Sequence, residues 1–235
     1  MGKKFLIIFA IIAVLAFQQA PRSHGPIIKD KNGSSTNWSG YAVLGNNVND
    51  VKGSWVVPAV NCTGVTQNTY SSAWVGIDGD GSSTVEQLGT EQDCINGQPS
   101  YYAWYEMYPK PSFRINLPVS ANQTMTAEVK YVNGNFQLFL NNTLITSQKS
   151  NKAKRASAEW VMEAPWSGGV LPLANFGTAI YSGSNATMGP ISGSISAFSN
   201  IDRIDMVNSS GGFKDITSGL DGSGSAFTVQ WLSSN

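Results

Sequence analysis

Three strand-like stretches lie between residues 72 and 108, and in the first and third of them aromatic and carboxylate side chains share a face. Successive side chains of a strand point to opposite faces of its sheet, so residues two apart share a face. Trp74 and Asp78 share one face of the first stretch, and Trp104 and Glu106 share one face of the third. A strand that only filled a core would turn its tryptophans inward and its acids outward. The pattern therefore predicts a polar groove with aromatic walls, in which carboxylates supply the chemistry.

Histidine and thiol groups are scarce in this chain, so hydrolysis would depend on carboxylates. His24 is the only histidine and lies near the predicted mature N-terminus, where a Ser-His-Asp or Cys-His mechanism would lack a well-placed base. Cys62 and Cys94 are predicted to form one disulfide in an exported protein. Two cysteines and one histidine are a poor ligand set for zinc, and the Asp-Gly-Asp-Gly run at residues 78–81 lacks the ligand spacing of an EF-hand loop. We expect neither a metal nor a cofactor.

A second pair of acids, Glu159 and Glu163, shares one face of the strand-like stretch 158–163. Such a pair is typical either of a solvated sheet edge or of a polar site, and the residues alone leave both interpretations open. Gln87 shares a strand face with Gly89. Taken by itself, this glutamine is an ordinary polar residue of a strand.

Short alternating runs position these side chains and recur about every 8–12 residues from Asn37 onward, divided by Gly, Asn, Asp and Pro. Asn133-Gly134 has the composition of a tight hairpin turn, and Asn141-Asn142 predicts a second turn. The stretch after residue 20 sustains no 3.6-residue period. We therefore predict an all-β fold, an antiparallel β-sandwich or jelly roll of two sheets, as a single domain over residues 37–235.

The N-terminus has the layout of a secretory signal peptide. Two lysines follow Gly2, an apolar run extends from Phe5 to Phe17, and Gln18-Gln19-Ala20 comes next, with small residues at Ala16 and Ala20. The run is too short to span a bilayer comfortably. We predict a signal peptide at residues 1–20, cleaved after Ala16 or Ala20, and a secreted protein without stable membrane association after cleavage.

The chain that remains is nearly neutral and poor in charge. Only 13% of all residues are charged, about half the usual fraction. Removal of residues 1–20 leaves 13 basic and 15 acidic residues, a net charge of −2, so we predict no nucleic-acid partner. Few carboxylates would have to ionise to keep such a protein folded, which favours adaptation to acid, although a generic extracellular β protein has the same composition. A monomer is the default expectation.

Seven blocks resemble the glutamic peptidases, or eqolisins, and occur in that family's order between Asn37 and the C-terminus. The blocks are Asn37-Trp38-Ser39-Gly40-Tyr41, Gly53-Ser54-Trp55-Val56-Val57-Pro58, Ala73-Trp74-Val75-Gly76-Ile77-Asp78-Gly79, Gln87-Leu88-Gly89, Ala103-Trp104-Tyr105-Glu106-Met107-Tyr108-Pro109, Ala158-Glu159-Trp160-Val161-Met162-Glu163 and Leu171-Pro172-Leu173-Ala174-Asn175-Phe176.

The resemblance implies a curved sandwich like that of the lectins and concanavalin, with the active site on the concave face. It also implies an acid endopeptidase that cleaves polypeptides with a dyad of one Gln and one Glu. By this resemblance the Gln is Gln87, and the Glu is Glu163 with Glu159 as the alternative. The positions that match the family's substrate-binding groove are Trp38, Trp74, Asp78, Glu106 and Tyr108.

These residue types suit the implied reaction. The amide of Gln87 does not titrate, so it would orient a water molecule and stabilise the oxyanion, while Glu163 would move the proton. A neighbouring acid such as Glu106 would stay protonated through like-charge repulsion, which predicts activity in acid. The chain departs from the family at Tyr102, where fungal members commonly have an acid.

The segment that precedes the first block is short. Residues 21–36 are predicted to be a flexible tail or a short pro-segment. Fungal members of the family are made with a long pro-region. Either this chain has no zymogen, or the short tail blocks the groove.

A carbohydrate-active protein is the alternative interpretation. Lectin-like sandwiches with Trp-lined grooves also occur as glycoside hydrolases, in which two carboxylates flank the scissile bond, and as sugar-binding modules. Glu106 and Glu163 would be the pair if their strands lie opposite each other.

Overall fold

The computed structural model describes residues 22–31 and 33–235, so the predicted signal peptide lies outside the described residues. A 3₁₀ helix, Ile195–Ala197, is the one helical element of this part of the chain, and no helix there has the length and hydropathy needed to cross a membrane. The strands are β1 (Ser34–Ser35), β2 (Trp38–Leu44), β3 (Val48–Val56), β4 (Ser72–Ile77), β5 (Val85–Ile95), β6 (Gln98–Tyr108), β7 (Phe113–Ile115), β8 (Thr124–Val132), β9 (Asn135–Leu140), β10 (Thr143–Gln148), β11 (Ser157–Glu163), β12 (Thr178–Met188), β13 (Ile191–Ser194), β14 (Ile201–Val207), β15 (Phe213–Thr217) and β16 (Phe227–Trp231).

The strands form one continuous hydrogen-bonded path that folds into two layers. Its order is β10-β9-β8-β3-β12-β16-β15-β14-β2-β11-β4-β5-β6-β7, with β1 added to β14 and β13 to β12. All neighbours along the path are antiparallel. Strand β14 joins the layers, because residues 201–204 pair with β2 whereas Met206 and Val207 pair with β15. The predicted all-β antiparallel sandwich is confirmed, with its two sheets joined through this strand.

The main core lies between the layers, where buried indoles hydrogen-bond across it. Trp160 of β11 donates its Nε1–H to the Lys52 carbonyl of β3 at 2.8 Å. Trp55 of β3 donates its Nε1–H to Thr90 Oγ1 of β5, also at 2.8 Å. Burying an indole contributes roughly 4–6 kcal/mol, and these hydrogen bonds satisfy its polar atom. The contacts therefore fix the β4–β5–β11 layer against β3.

A second, smaller apolar cluster lies on the other face of the same layer. Strand alternation separates it from the main core, since Ala73 and Val75 point into the core while Trp74 between them points away. This layer is thus apolar on both faces. The cluster consists of Trp38, Trp74, Val85, Trp104 and Val161.

Both predicted hairpin turns are confirmed. Asn133 and Gly134 have φ values of 50° and 80°, and Asn141 and Asn142 have values of 49° and 63°. Two consecutive residues with positive φ are the requirement of a type I′ turn, which suits Asn and Gly. The second turn divides the alternating run of residues 136–145 into β9 and β10.

The predicted disulfide between Cys62 and Cys94 is present. It ties the segment between β3 and β4 to the end of β5. A loop of this length, with a sequence separation of 32 residues, is expected to stabilise the fold by roughly 3–4 kcal/mol in the loop-entropy model. It also anchors the end of the strand that carries Asp93.

Candidate active site

Four neighbouring strands, β11, β4, β5 and β6, form the floor of a groove on the second apolar face. Gln87 of β5 lies directly opposite Glu106 of β6. Glu91 lies four residues after Gln87 on β5. It pairs with Ser72 of β4, which in turn pairs with Glu163 of β11, so the three residues form one row across the sheet. Residues an even number apart share a strand face. One amide and three carboxylates therefore meet on the same side of the sheet.

Tryptophan rings lie between these two rows and shape the groove. Trp74 and Trp104 flank Gly89, which pairs with both of them. The Trp74 Nε1–H donates to Glu163 Oε2 at 2.8 Å and so orients that carboxylate. Position 89 requires glycine, because a Cβ there would lie 2.2 Å from a carbonyl oxygen of β4 and 2.5 Å from Trp74 Cβ.

Residues 22–28, which we call the groove segment, cross this site and fill it. His24 is only 1% exposed, and its ring stacks on Trp104 with the centroids 3.6 Å apart. Its Nδ1 lies 3.2 Å from Glu163 Oε2, and its Nε2 lies 3.0 Å from Glu91 Oε1. One imidazole is thus held between two carboxylates.

Main-chain atoms of the groove segment form hydrogen bonds with the groove. The His24 N–H donates to Glu106 Oε2 at 2.7 Å, and the His24 carbonyl accepts a hydrogen bond from the Gln87 side-chain amide. Ser23 exchanges two hydrogen bonds of 3.0 Å with Trp166. Gln87, Glu106 and the loop after β11 therefore all bind one short stretch of peptide.

Burial raises the pKa values of the acids under the groove segment. The pKa of Glu163 rises to about 7 chiefly because of burial, with Glu106 adding to the shift and His24 opposing it. Burial raises the pKa of Glu91 to about 6 against the attraction of Arg22. The pKa of Glu106 is also raised by burial, against His24. Burial favours the protonated form of each of these carboxyls because few waters reach them.

Two further aromatic residues predicted for the groove contact this site. Trp38 packs edge-on against Trp74, with ring centroids 4.8 Å apart. Tyr108 lies beside the groove segment, since a Cβ built on Gly25 would be 3.3 Å from the tyrosine ring. Both residues form walls of the groove.

Asp78 and Glu159 do not contact the groove segment through hydrogen bonds. The Asp78 carboxylate accepts three backbone N–H groups from residues 154–156 at 2.8–2.9 Å, so it braces that loop. Glu159 is fully buried on the face of β11 that carries Glu163. Burial raises its pKa well above the usual value, and Asp78 and Asp80 add to this effect. The histidine of the groove segment lies against Glu163.

Two acids that bind the groove segment, Glu91 and Asp93, are absent from the residues that the sequence pattern singled out. Arg22 donates to Asp93 Oδ2 at 2.5 Å. Both acids continue the alternation that begins at Gln87, so extending that pattern along β5 would have found them. Acids, amides and glycine are depleted in strands, which hid the full length of Val85–Ile95.

The sequence matches the model of the Peptidase A4 family over residues 36–231. The chain belongs to the peptidase A4 family. This membership confirms the resemblance carried by the seven blocks. The groove segment precedes the part of the chain that the family model matches.

This A4-family chain is similar to two named relatives. It is 27% identical over 184 residues to aspergillopepsin-2 of Aspergillus niger. The aligned region covers 66% of this chain and 65% of the relative. It is 29% identical over 138 residues to scytalidopepsin B of Scytalidium lignicola. This aligned region covers 54% of the chain and 51% of the relative. The chain thus spans somewhat less than two thirds of one relative's length and about half of the other's.

Solved structures share the fold of this A4-family chain. The structure of scytalido-glutamic peptidase with a transition state analog inhibitor superposes with a TM-score of 0.71 at 19% identity, covering 84% of this chain and 98% of that one. Aspergilloglutamic peptidase from Aspergillus niger superposes with a TM-score of 0.61 at 26% identity, covering 70% and 99%. These likenesses support the sandwich architecture over nearly the whole of each solved chain.

Proposed function

We propose that this A4-family chain is a secreted acid endopeptidase with Gln87 and Glu163 as its catalytic dyad. The observation that carries the proposal is the groove segment, a peptide whose His24 carbonyl accepts a hydrogen bond from Gln87 while its imidazole lies against Glu163. A polypeptide substrate bound in the same way would present its carbonyl group to an amide donor, with a carboxylate close by.

The two residues would have different roles in hydrolysis. Glu163 takes a proton from a water molecule, whose oxygen attacks the carbonyl carbon of the substrate. The Gln87 amide donates to the oxyanion that forms, and Glu163 then delivers the proton to the departing amine. Trp74 keeps Glu163 in position through its indole N–H.

The groove segment has to leave before this reaction can begin. With it in place, the pKa of Glu163 is about 7, so the carboxyl is protonated in acid and cannot act as a base. Its departure admits water, which removes the main cause of the raised pKa. Once Glu163 is ionised, like-charge repulsion keeps Glu106 protonated to higher pH. Activity should therefore lie in acid, where Glu163 is ionised and Glu106 is still protonated, and decline as Glu106 ionises.

We place this activity outside the cell, on a polypeptide substrate. The layout of residues 1–20 is typical of a secretory signal, and the Cys62–Cys94 disulfide suits an oxidising compartment. We expect a monomer that binds neither nucleic acid nor membrane. The carbohydrate-active alternative lacks comparable support, because the contacts in the groove are made to a peptide main chain.

The test measures cleavage of an unfolded protein by the full chain and its variants from about pH 2 to pH 8. Glu163→Gln and Gln87→Ala should each lower kcat/KM by at least about a hundredfold, since each removes a group that acts in the transition state. Glu159→Gln is the matched control, an equivalent change of a buried acid on the same strand face, and should retain cleavage.

The possible results separate the parts of the proposal. If Glu159→Gln does not cleave the substrate and Glu163→Gln does, the general base is Glu159 and not Glu163. An active Gln87→Ala would remove the glutamine from the mechanism. Cleavage by His24→Ala but not by the parent chain would locate a block in the groove segment. A lack of cleavage by all of them at every pH would overturn the proposed activity.

A further inference from the structure

One end of the groove forms a pocket around the side chain of Arg22. Its Nη1 lies 2.5 Å from Asp93 Oδ2 and 3.5 Å from Glu91 Oε2, and both acidic side chains are 0% exposed. The guanidinium carbon lies 4.6 Å from the ring centroid of Tyr70 and 5.6 Å from that of Tyr102. We call Tyr70, Glu91, Asp93 and Tyr102 the cation pocket.

The cation pocket is built to hold a positive charge. Glu91 and Asp93 are both removed from water, and each disfavours the ionisation of the other. A bound cation offsets that repulsion. Among the described residues, Asp93 Oδ1 has no hydrogen-bond partner, so an acceptor remains for a second donor of a bound cation. The faces of the two tyrosines add attraction to a guanidinium.

The main chain beside the pocket is bound without regard to side-chain type. Ser112 Oγ donates to the Arg22 carbonyl at 3.1 Å, and the next residue, Ser23, pairs with the Trp166 backbone. Within the part of the chain that the structure describes, the one side-chain hydrogen bond of Ser23 is a contact of 3.3 Å from its Oγ to Glu106 Oε1. The side chains of Arg22 and His24 both point to the groove floor, where each of them contacts Glu91. Selection among peptides therefore depends on the pockets that receive these side chains.

We propose that the cation pocket is a specificity subsite for a basic residue of the substrate, two positions before the residue whose carbonyl Gln87 binds. Arginine is favoured over lysine, because a planar guanidinium stacks on the tyrosines and offers several donors to the two acids. The position of this subsite relative to the cleaved bond rests on the proposed function. The selective binding of basic peptides is independent of that function.

The first experiment measures binding and needs no catalysis. An Arg22→Ala change in the full chain vacates the pocket, and calorimetry then compares the peptide Arg-Ser-His-Gly-Pro-Ile-Ile with versions that begin with Lys or Ala. The arginine peptide should bind at least about tenfold more tightly than the alanine peptide, with lysine between them. Equal affinities would overturn the proposal. The remaining groove segment competes equally with all three peptides.

A second substitution assigns the selectivity to the pocket. Adding Asp93→Asn should bring the ratio of arginine-peptide to alanine-peptide affinity close to one, whereas Asp50→Asn, a matched change in β3 of the other layer, should leave the ratio unchanged. A ratio that survives Asp93→Asn would overturn the assignment. Because the ratio compares two peptides on one protein, a reduced folded fraction does not alter it.

Cleavage assays with the same three residues at this position distinguish the two proposals. A preference for arginine in kcat/KM supports both. Arginine-selective binding without cleavage at any pH would refute the peptidase activity while supporting the subsite. Cleavage that is indifferent to this residue would support the peptidase and overturn the subsite.

Discussion

Glu163 illustrates how single contacts adjust a buried acid. Burial alone favours the neutral carboxyl, and it accounts for most of the rise of its pKa to about 7. The indole of Trp74 and the imidazole of His24 act in the opposite direction, because both stabilise the charged form. The balance between a dry groove and a few donors decides when this residue can accept a proton.

Replacing Trp74 by phenylalanine tests this balance. The change keeps a large ring but removes the N–H group that donates to Glu163, so the pKa of Glu163 should rise. We expect the acid limb of the pH profile of kcat/KM to move to higher pH, with a loss of about tenfold in rate at the acid end.

Trp160→Phe provides the control for that measurement. It also removes an indole donor, in this case one that binds the Lys52 carbonyl in the main core. This variant should lose stability and keep the position of the acid limb. If the limb stays in place in Trp74→Phe as well, the indole does not control the ionisation of Glu163.

Strand β5 supplies most of the polar floor of the groove. Gln87, Glu91 and Asp93 lie on one face, while Leu88 between them points into the main core. The strand can lie close to β4 because Gly89 has no side chain to separate them. The position of Gln87 relative to Trp74 thus depends on one glycine.

Gly89→Ala should therefore damage the sheet. The added Cβ would lie 2.2 Å from a backbone oxygen, and backbone can yield only if β5 moves away from β4. We expect a loss of at least about 3 kcal/mol in the free energy of unfolding, together with loss of activity.

Gly169→Ala is the matched substitution, because a Cβ at that position meets no atom within 4 Å. It should change the unfolding free energy by less than about 1 kcal/mol. Denaturant unfolding of both variants checks the difference, and equal stabilities would show that the strands tolerate a wider spacing.

The whole molecule combines a low charge content with an unusual number of buried acids. Burial raises the pKa of Glu86 to about 8. Burial also raises the pKa of Asp215 to about 7, against the hydrogen bonds that this carboxyl accepts from Ser39 and the Met206 N–H. Both acids lie outside the groove contacts, so they affect the stability of the fold. The folded protein is suited to conditions in which these groups bind protons.

Stability should therefore fall as pH rises. A pKa that is higher in the folded than in the unfolded state means that folding takes up protons, so the contribution is complete below about pH 4 and is lost through about pH 8. When the folded and unfolded pKa values of a group differ by about one, its contribution changes by about 1.4 kcal/mol. Calorimetry should give a higher Tm at about pH 4 than at about pH 8, and Glu86→Gln should reduce the difference. A Tm that rises with pH would contradict this expectation.

Local sequence signals are enough to predict the fold class, the turns, the disulfide and the family. Strand alternation, Asn-Gly turns and paired cysteines are local signals, because each depends on the chemistry of a few neighbouring residues. The same alternation placed Gln87, Glu106 and Glu163 on strand faces that could be identified without coordinates. Only the resemblance to a known family singled out Gln87 among the polar strand residues.

The tertiary structure decided how these faces meet and what fills the groove. The stretch around Arg22 and His24 has no periodic pattern, since its position depends on contacts with residues about 70 to 140 positions away in the chain. In the same way, only the structure shows that the carboxylate of Asp78 binds the loop 154–156 and that the carboxylate of Asp93 binds Arg22. Such pairings arise from strand order and register, which bring distant residues together and which no local pattern records.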